Sequence, residues 1–501
     1  MNVQTDPARL TFTDIRFPLP AERPIRSSFI REDNLRNLGR DFALNSRNFL
    51  RELEPFQFHA RVKDNAEKIL AVYRATNDAV ARGDTITPAA QWLLDNNYMV
   101  EEALHQVKRD LPQRYYRELP LIEIGSGQKI PRVLALAWLY VAHTDSAVSA
   151  SAFQSLIEGF QTEHALKIGE LWALPSILRF VLTDNLRRLA VRVNRAREMR
   201  AIANLVADRL LGSASNDATV EALKTLDGHA RDKTFATQLL YRLRDGPRES
   251  SEALAWLESE LEASGRNAED TITGEHQTLS SGNVTTGNII RGLRLVNDIV
   301  WAEWFEALSH VDGELRKTAH FTELDFSSRD EYRTAIELLA KRSKRSEVEV
   351  ARLAIATAAE CGDVGHVLVG SERIAFERAI GYRPTVAERW RRLFKAVGWW
   401  GIFIPVLVLT SLLLTAAGFA LWGLGFEAPT ITILLALFAF PACEGAVGLF
   451  NTLTLLFLKP TRLIGFEYRN GIPADARTLV VVPSLIGTRD DVDDSIRNLE
   501  V

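Results

Sequence analysis

The chain has 501 residues, 47% hydrophobic and 25% charged, with 60 basic against 64 acidic side chains and a formal net charge of −4. That balance argues against a general nucleic-acid binder, which carries a basic excess, and the length leaves room for about two to four domains. Cys361 and Cys443 are its two cysteines, too few for a disulfide framework, so a reduced intracellular setting is expected.

Residues 1–58 read as an N-terminal extension, and 1–16 lack the apolar stretch of a secretory signal. From residue 59 the apolar pattern is helical almost throughout. Helices are expected at 59–82, 87–110, 149–163, 217–244, 248–264, 286–316, 328–341 and 345–361. Segment 131–142 (PRVLALAWLYVA) is apolar on every side and predicts a buried core helix. Gly125-Ser126-Gly127 lacks the further glycines of a dinucleotide loop and the Gly-Lys-Ser/Thr of a phosphate loop, so 123–129 is read as a turn. His143 and Asp145 follow the apolar helix; they could form an acid–base pair, but closing the helix end is the favoured role. Tyr115, Tyr116 and Arg117 lie between two prolines and could stack a sugar, with a structural tether preferred.

The pattern Ile177, Leu178, Val181, Leu182, Leu186, Leu189, Val193 predicts a long helix over 175–211, with Pro175 in its first turn. Its other face carries Arg187, Arg188, Arg192, Arg195, Arg197 and Arg200. A phosphate or lipid-headgroup surface is one reading. A solvated face pairing with Asp184 and Glu198 is preferred, because the chain as a whole is slightly acidic. Segment 264–285, rich in Ser, Thr, Gly and Asn, is read as a loop dividing helical subdomains at 59–265 and 286–395.

The mean hydropathy of −0.05 resembles that of a soluble protein, yet it averages over two long apolar stretches. Residues 396–426 carry no charge and 428–458 carry only Glu444. About 20 apolar residues span a bilayer as a helix, so a transmembrane hairpin is expected at 396–458, with spans near 398–424 and 430–457. Arg383, Arg389, Arg391, Arg392 and Lys395 precede it, and Lys459, Arg462 and Arg469 follow it. Positive flanks stay cytoplasmic, so both soluble ends are expected inside the cell. A charge at mid-membrane costs about 2.5–3.5 kcal/mol. Glu444 is therefore expected to face protein or water: as polar lining of a substrate path or a contact with further spans or, as preferred, as a protonated or hydrogen-bonded group within the hairpin near Pro441. A transporter built around it is disfavoured, since no inverted repeat is visible.

Segment 477–485 (RTLVVVPSL) reads as a buried strand, and Thr488 as the N-cap of a following helix. Asp490, Asp491, Asp493 and Asp494 fall in that helix's first turn, where acidic residues complement the helix dipole; this is preferred over a metal cluster. The fold expected is mainly α: a multi-helix cytoplasmic region, a transmembrane hairpin and, at 475–501, the first β–α unit of an α/β domain. A parallel strand needs cover on both faces, so the chain reads as the front of a longer protein.

Several blocks carry a family likeness. The first comprises TPAAQWLLDN at 87–96, with Trp92, Asp95 and Asn96, then DLPxxYYRELP at 110–120, with Tyr115, Tyr116 and Arg117. It continues through Pro131-Arg132, His143-Thr144-Asp145 and GELWALP at 169–175, with Glu170 and Trp172. A second block holds Gly287-Asn288, Trp301, Phe305-Glu306, LDFxxRDxYR at 324–333, with Asp325, Arg329, Asp330 and Tyr332, and SExEVA at 346–351. Taken together over 60–501, these residues resemble the cyclic β-1,2-glucan synthases of bacterial inner membranes. Val300 and Leu324 depart from the family's usual acidic residue and methionine.

The resemblance implies a large multi-domain enzyme. A helical region and membrane spans would precede a GT-A-type glycosyltransferase domain using UDP-glucose and a divalent metal. Glucan would be built on a protein-bound primer, cyclised and delivered to the periplasm. The transferase's Asp-x-Asp and Gln-x-x-Arg-Trp motifs match no residue here, so the chain itself is expected to be catalytically silent and to hold no cofactor. Pro483 and Ser484 fall where the first strand of such a domain approaches the nucleotide. The implied partners are membrane lipid, the remaining synthase domains and a glucan chain, without nucleic acid. A non-enzymatic, membrane-tethered helical scaffold is the alternative.

Overall fold

The computed structural model describes residues 12, 15–211, 223, 225–245, 251–318, 320–361, 363–386, 388–389, 392 and 398–457, with 463–468, 471–474, 477–478, 481, 492 and 496–497. The chain divides into two compact units, Met1–Gly313 and Glu314–Val501. Among the described residues there are twenty α-helices and one two-stranded sheet.

The first unit begins with α1 (Glu32–Leu44), α2 (Phe58–Ala81), α3 (Pro88–Asp95), α4 (Asn97–Asp110) and α5 (Gln113–Glu118). Thr87 starts α3 by accepting the Ala90 N–H, with Pro88 in the first turn where a missing N–H costs least. The expected single helix over 87–110 is broken at Asn96. Its amide donates to the Trp92 carbonyl at 2.9 Å, an alternative to the helical ladder that Asn favours.

Strands β1 (Leu121–Glu123) and β2 (Lys129–Pro131) pair antiparallel with Leu121 opposite Pro131. The turn expected at 123–129 is thus the tip of a hairpin, with Gly127 at φ +77°, a conformation open to glycine at little cost. Next come α6 (Arg132–His143), α7 (Ala150–Gln161) and α8 (Ile168–Leu211). Every residue of α6 from Val133 to Ala142 is buried, as its all-round apolarity requires.

Helix α8 has 44 residues and is roughly 65 Å long. Pro175 lies inside it rather than in its first turn. An interior proline costs about 3 kcal/mol. Burial of Ile168, Leu171, Leu174 and Ile177 on either side offsets that, at about 1.5–3 kcal/mol per large side chain. The unit continues with α9 (Asp227–Ala230), α10 (Lys233–Arg244), α11 (Ser251–Ala263), α12 (Ala268–Asp298), α13 (Trp301–Leu308) and α14 (His310–Leu315), the last reaching the unit boundary. Helix α8 packs against α2, α4, α6, α10 and α12 and is the spine of the unit.

Residues 264–285 are not the loop expected: α12 runs through them from its N-cap Asn267. Their hydroxyls bond back to their own helix, as with Thr278 to Gly274 O at 2.8 Å and Thr286 to Gly282 O at 2.8 Å. The polar groups that suggested a turn are thereby satisfied without leaving the helix.

The second unit holds α15 (Phe326–Ser343), α16 (Glu347–Cys361), α17 (Val364–Leu368), α18 (Arg373–Ile380), α19 (Trp400–Gly423) and α20 (Ala428–Phe457). The strand expected at 477–485, the helix expected after it, and Pro483 and Ser484 lie largely or wholly outside the described residues.

Candidate functional site

Two places gather the residues singled out in the sequence. The first is the surface of α8 in the first unit, where residues 15–30 of the N-terminal extension lie as a strap. Phe12 is buried in the apolar cluster around Met199, Val206 and Leu239, and Phe17 stacks on His229 with ring centroids 3.5 Å apart. The Ile25 N–H donates to Asn185 Oδ1 at 2.7 Å, and the Ser27 N–H to Ala142 O at 2.8 Å.

The arginine-bearing face of α8 pairs with Asp184, as expected, but around that residue it is buried rather than solvated. Arg187 is 1% exposed and Asp184 0%. The Asp184 carboxylate receives Arg188 Nε at 2.8 Å and lies 3.5 Å from both Arg187 Nη2 and Arg61 Nε. Glu22 of the strap closes the cluster, accepting Arg187 at 2.8 Å and Arg61 at 2.9 Å. Burial alone would push the Glu22 carboxyl up. Hydrogen bonds from Arg187 and Arg61, with the charges of Arg187 and Arg188, overcome it and hold the group at about 2, against an ordinary 4.5.

A carboxyl lowered on folding stabilises the fold above its unfolded value, and that contribution fades as pH falls through the folded value. Strap attachment is expected to weaken between about pH 4.5 and 2. Amide exchange of residues 22–30, measured against pH, checks this: the loss of protection should be blunted in Glu22→Gln, and an equal slope in both proteins would refute it.

The signature residues of the first unit meet across the fold. His143 Nδ1 lies 2.7 Å from the Ser28 carbonyl, so the ring ties down the strap, while Thr144 closes α6. Asp145, at φ +49°, accepts Arg26 at 2.7 Å and the Thr285 hydroxyl at 2.8 Å. The buried Glu170 carboxylate binds Arg132. Trp172 stacks on Phe305 at 4.5 Å, and Trp92 packs against Gly287. Tyr115 donates to the Gly169 carbonyl and Tyr116 stacks on Phe58 at 4.2 Å, its phenol pushed up by burial; Arg117 ends α5 beside them. Asp95 accepts Gln91 Nε2 at 2.7 Å, and Asn96 is buried. Apart from Asp95 and Asn96, which bond within or at the end of α3, these side chains tie separate parts of the unit together. They do not converge on one cavity.

The second place is the helix pair α19–α20 with its flank. These helices have 24 and 30 residues, roughly 36 and 45 Å against a hydrocarbon core of about 30 Å. Both are long and apolar enough to cross a membrane. No residue of α19 is buried, whereas the shorter apolar helix α6 is buried from Val133 to Ala142 and too short to span. Threonine hydroxyls on the pair bond back to their own helices, as with Thr410 to Val406 O at 2.8 Å and Thr432 to Ala428 O at 2.9 Å, so these donors are satisfied within the helix. Pro405 and Pro441 sit inside the helices. Glu444 is exposed on α20 and has no hydrogen bond or ion pair among the described residues, so the partner expected for it near Pro441 is not found.

After α20 the chain returns to the start of α15. Leu324 and Phe466 form an antiparallel bridge. The Asp325 N–H donates to Gly465 O at 3.0 Å, the Glu467 N–H to Glu323 O at 2.8 Å, and the Gly465 N–H to Ser328 Oγ at 2.8 Å. Asp325 caps α15 by accepting the Ser328 N–H at 2.8 Å, and hydrogen bonds from the Ser328 hydroxyl and N–H lower its carboxyl. Arg329 lies 3.8 Å from Glu467. Tyr332 is buried beside Gly365, and burial pushes its phenol up to about 12. Asp330 lies on the same helix, within the quoted motif. Ser328 and Gly465 carry this clamp and were missed. Their signal was weak: a serine inside the LDFxxRD block and a glycine between Ile464 and Phe466.

Among the described residues no group of three His, Cys, Asp or Glu side chains could hold a metal ion. The fold and these two places define a mainly helical protein with a pair of potential membrane-spanning helices near its C-terminus. No protein-family model matches the chain. It is 48% identical over 489 residues to the cyclic β-(1,2)-glucan synthase NdvB of Rhizobium meliloti (strain 1021). The alignment takes in 95% of this chain and 17% of that protein, which fits an N-terminal portion.

Proposed function

We propose that the chain is the N-terminal membrane-anchoring part of a bacterial cyclic β-1,2-glucan synthase. The observation that carries this is the 48% identity sustained across 95% of the chain. In this reading α19 and α20 cross the inner membrane as a hairpin with both flanks in the cytoplasm. The basic residues on either side of the hairpin favour that orientation, and the clamp between 463–468 and the start of α15 supports keeping both flanks on one side.

Residues 475–501 would open the GT-A-type transferase domain, with Pro483 and Ser484 near its nucleotide. UDP-glucose and a divalent metal would be handled by the rest of the synthase, and no catalytic step is assigned to residues of this chain. Its work is to hold the transferase at the bilayer, to contact lipid and the other synthase domains, and to border the glucan's route outward. Glu444, exposed at membrane depth, would meet a further span or water.

Alkaline phosphatase, active only in the periplasm, tests the anchor. Fused at Gly425 it should be active, and fused at Gly471 it should be inactive; activity at Gly471 would overturn the hairpin. Purified chain given radiolabelled UDP-glucose should incorporate no glucan, and incorporation would contradict an anchoring role without catalysis.

A further inference from the structure

The first unit contains a cavity of about 540 Å³, bounded by the strap, α8, the turn before α10, the turn before α12 and α12 itself. That is within the usual range for a small-molecule site, about 300–1,000 Å³. Six cationic side chains line it, Arg26, Arg192, Arg195, Arg231, Lys233 and Arg266, against two carboxylates, Asp232 and Glu275.

Both carboxylates are already committed. Asp232 caps α10 through the Thr234 and Phe235 N–H groups and receives Arg195 at 2.8 Å. Glu275 is buried, accepts the Thr234 hydroxyl at 2.9 Å and lies 3.8 Å from Arg200. Arg26 is held by Asp145, and Arg266 spends one N–H on the Arg231 carbonyl. Among the described residues Arg192, Arg231 and Lys233 have no carboxylate within pairing distance. The wall thus presents uncompensated positive charge in a chain whose net charge is −4. Among the described residues none of these three cations is used in an ion pair.

The α12 side of the cavity adds the hydroxyls of Thr278 and Ser281. Their hydrogens bond to backbone carbonyls, at Gly274 for Thr278 and at Thr278 for Ser281. Their oxygen lone pairs therefore remain as acceptors for ligand hydroxyls. Leu189, Val193 and Leu279 give the floor an apolar part. Cations placed to bind an anion, acceptors for hydroxyls and an apolar floor together select one chemistry.

We propose that this cavity binds a small phosphate ester bearing hydroxyl groups, of sugar-phosphate size. Arg192, Arg231 and Lys233 supply charge-assisted hydrogen bonds to the phosphate. The same phosphate chemistry is found in lipid headgroups, so the test separates the two sources.

Full-length protein in detergent is titrated calorimetrically with ribose 5-phosphate, inorganic pyrophosphate and neutral ribose. In parallel it is reconstituted and floated with phosphatidylcholine vesicles, with or without phosphatidylglycerol. Two variants are compared. Arg231→Gln with Lys233→Gln removes exposed cations from the wall. Gly282→Phe adds bulk at a residue that lines the cavity and keeps every charge; a Cβ at Gly282 would meet nothing within 4 Å.

Binding of ribose 5-phosphate, with ribose silent and both variants weakening it at least about tenfold, is the expected result; added salt should weaken it further. Flotation that depends on phosphatidylglycerol and is lost in both variants, with soluble phosphates silent, would assign the phosphate to lipid. Absence of binding to every phosphate probe, or binding unchanged in both variants, would overturn the proposal. Thermal unfolding of each variant reports whether the fold is retained, and Gly282→Phe reads the site with the wall charges intact.

Discussion

Replacing Asp184 by asparagine is expected to cost the first unit about 3–5 kcal/mol, because it leaves buried charge without its partner. Asp184 is 0% exposed and lies within 4 Å of three guanidinium groups, those of Arg187, Arg188 and Arg61. Arg187 is 1% exposed and cannot turn to water. Without Asp184 it keeps only the strap's Glu22 and a contact of 3.7 Å to Asp64. Denaturant unfolding followed by circular dichroism measures the loss. Asp33→Asn, which alters an exposed ion pair 4.0 Å long, should stay within about 0.5 kcal/mol of the parent. The double change Asp184→Leu with Arg187→Met removes both charges at once and should cost less than Asp184→Asn alone. A double variant worse than the single would show that shape, not charge, governs the cluster.

Substituting valine at Gly39 or Gly159 is the second change with a large expected effect. Helices α1 and α7 cross there with no room for side chains. A Cβ at Gly39 would lie 2.1 Å from the Leu156 carbonyl oxygen, and one at Gly159 would lie 1.9 Å from that of Arg36. The obstacle is backbone in both cases, so the helices must separate. Overpacking of this kind costs about 1–3 kcal/mol or more. Loss of the seats of Leu35, Leu38 and Phe42, all buried, would add to it. Hydrogen exchange should show protection lost over α1 while α8 keeps its own. Gly282→Ala serves as control, since its Cβ enters open space; there the helix should be unchanged or slightly firmer. Protection of α1 unchanged in both valine variants would refute the close crossing.

What could be read from the sequence was whatever local periodicity or composition dictates. The stripe of α2 and the all-round apolarity of α6 place both helices within a residue of where the pattern puts them. The spans expected near 398–424 and 430–457 coincide with α19 and α20 to within about two residues. The hydroxyl-rich start of α12 was misread, because local composition cannot show that each hydroxyl will bond to its own helix. Pro175 misled for a similar reason: its local penalty is outweighed by burial that only tertiary structure reveals.

The candidate sites were harder to read. The quoted motifs flagged Asp145, Glu170 and Asp325, and each side chain makes a specific contact. Their partners are remote in sequence and leave no periodic trace: Arg26 for Asp145, and Gly465 beside Asp325. The cations Arg192, Arg231 and Lys233, without a carboxylate partner among the described residues, come from two separate helices and the turn before one of them, so no single window of the sequence shows their concentration.

The ordered N-terminal strap also bears on how the protein is made. Its Arg26 binds Thr285, 259 positions later in the chain. At about 5–20 residues per second a ribosome takes roughly 15–50 s to supply that partner. Phe12 and Phe17 must likewise wait undocked until Leu239 and His229 have been made, and closing such large loops is intrinsically slow. Maturation of the first unit should therefore finish late in its synthesis, with the earliest residues among the last to settle.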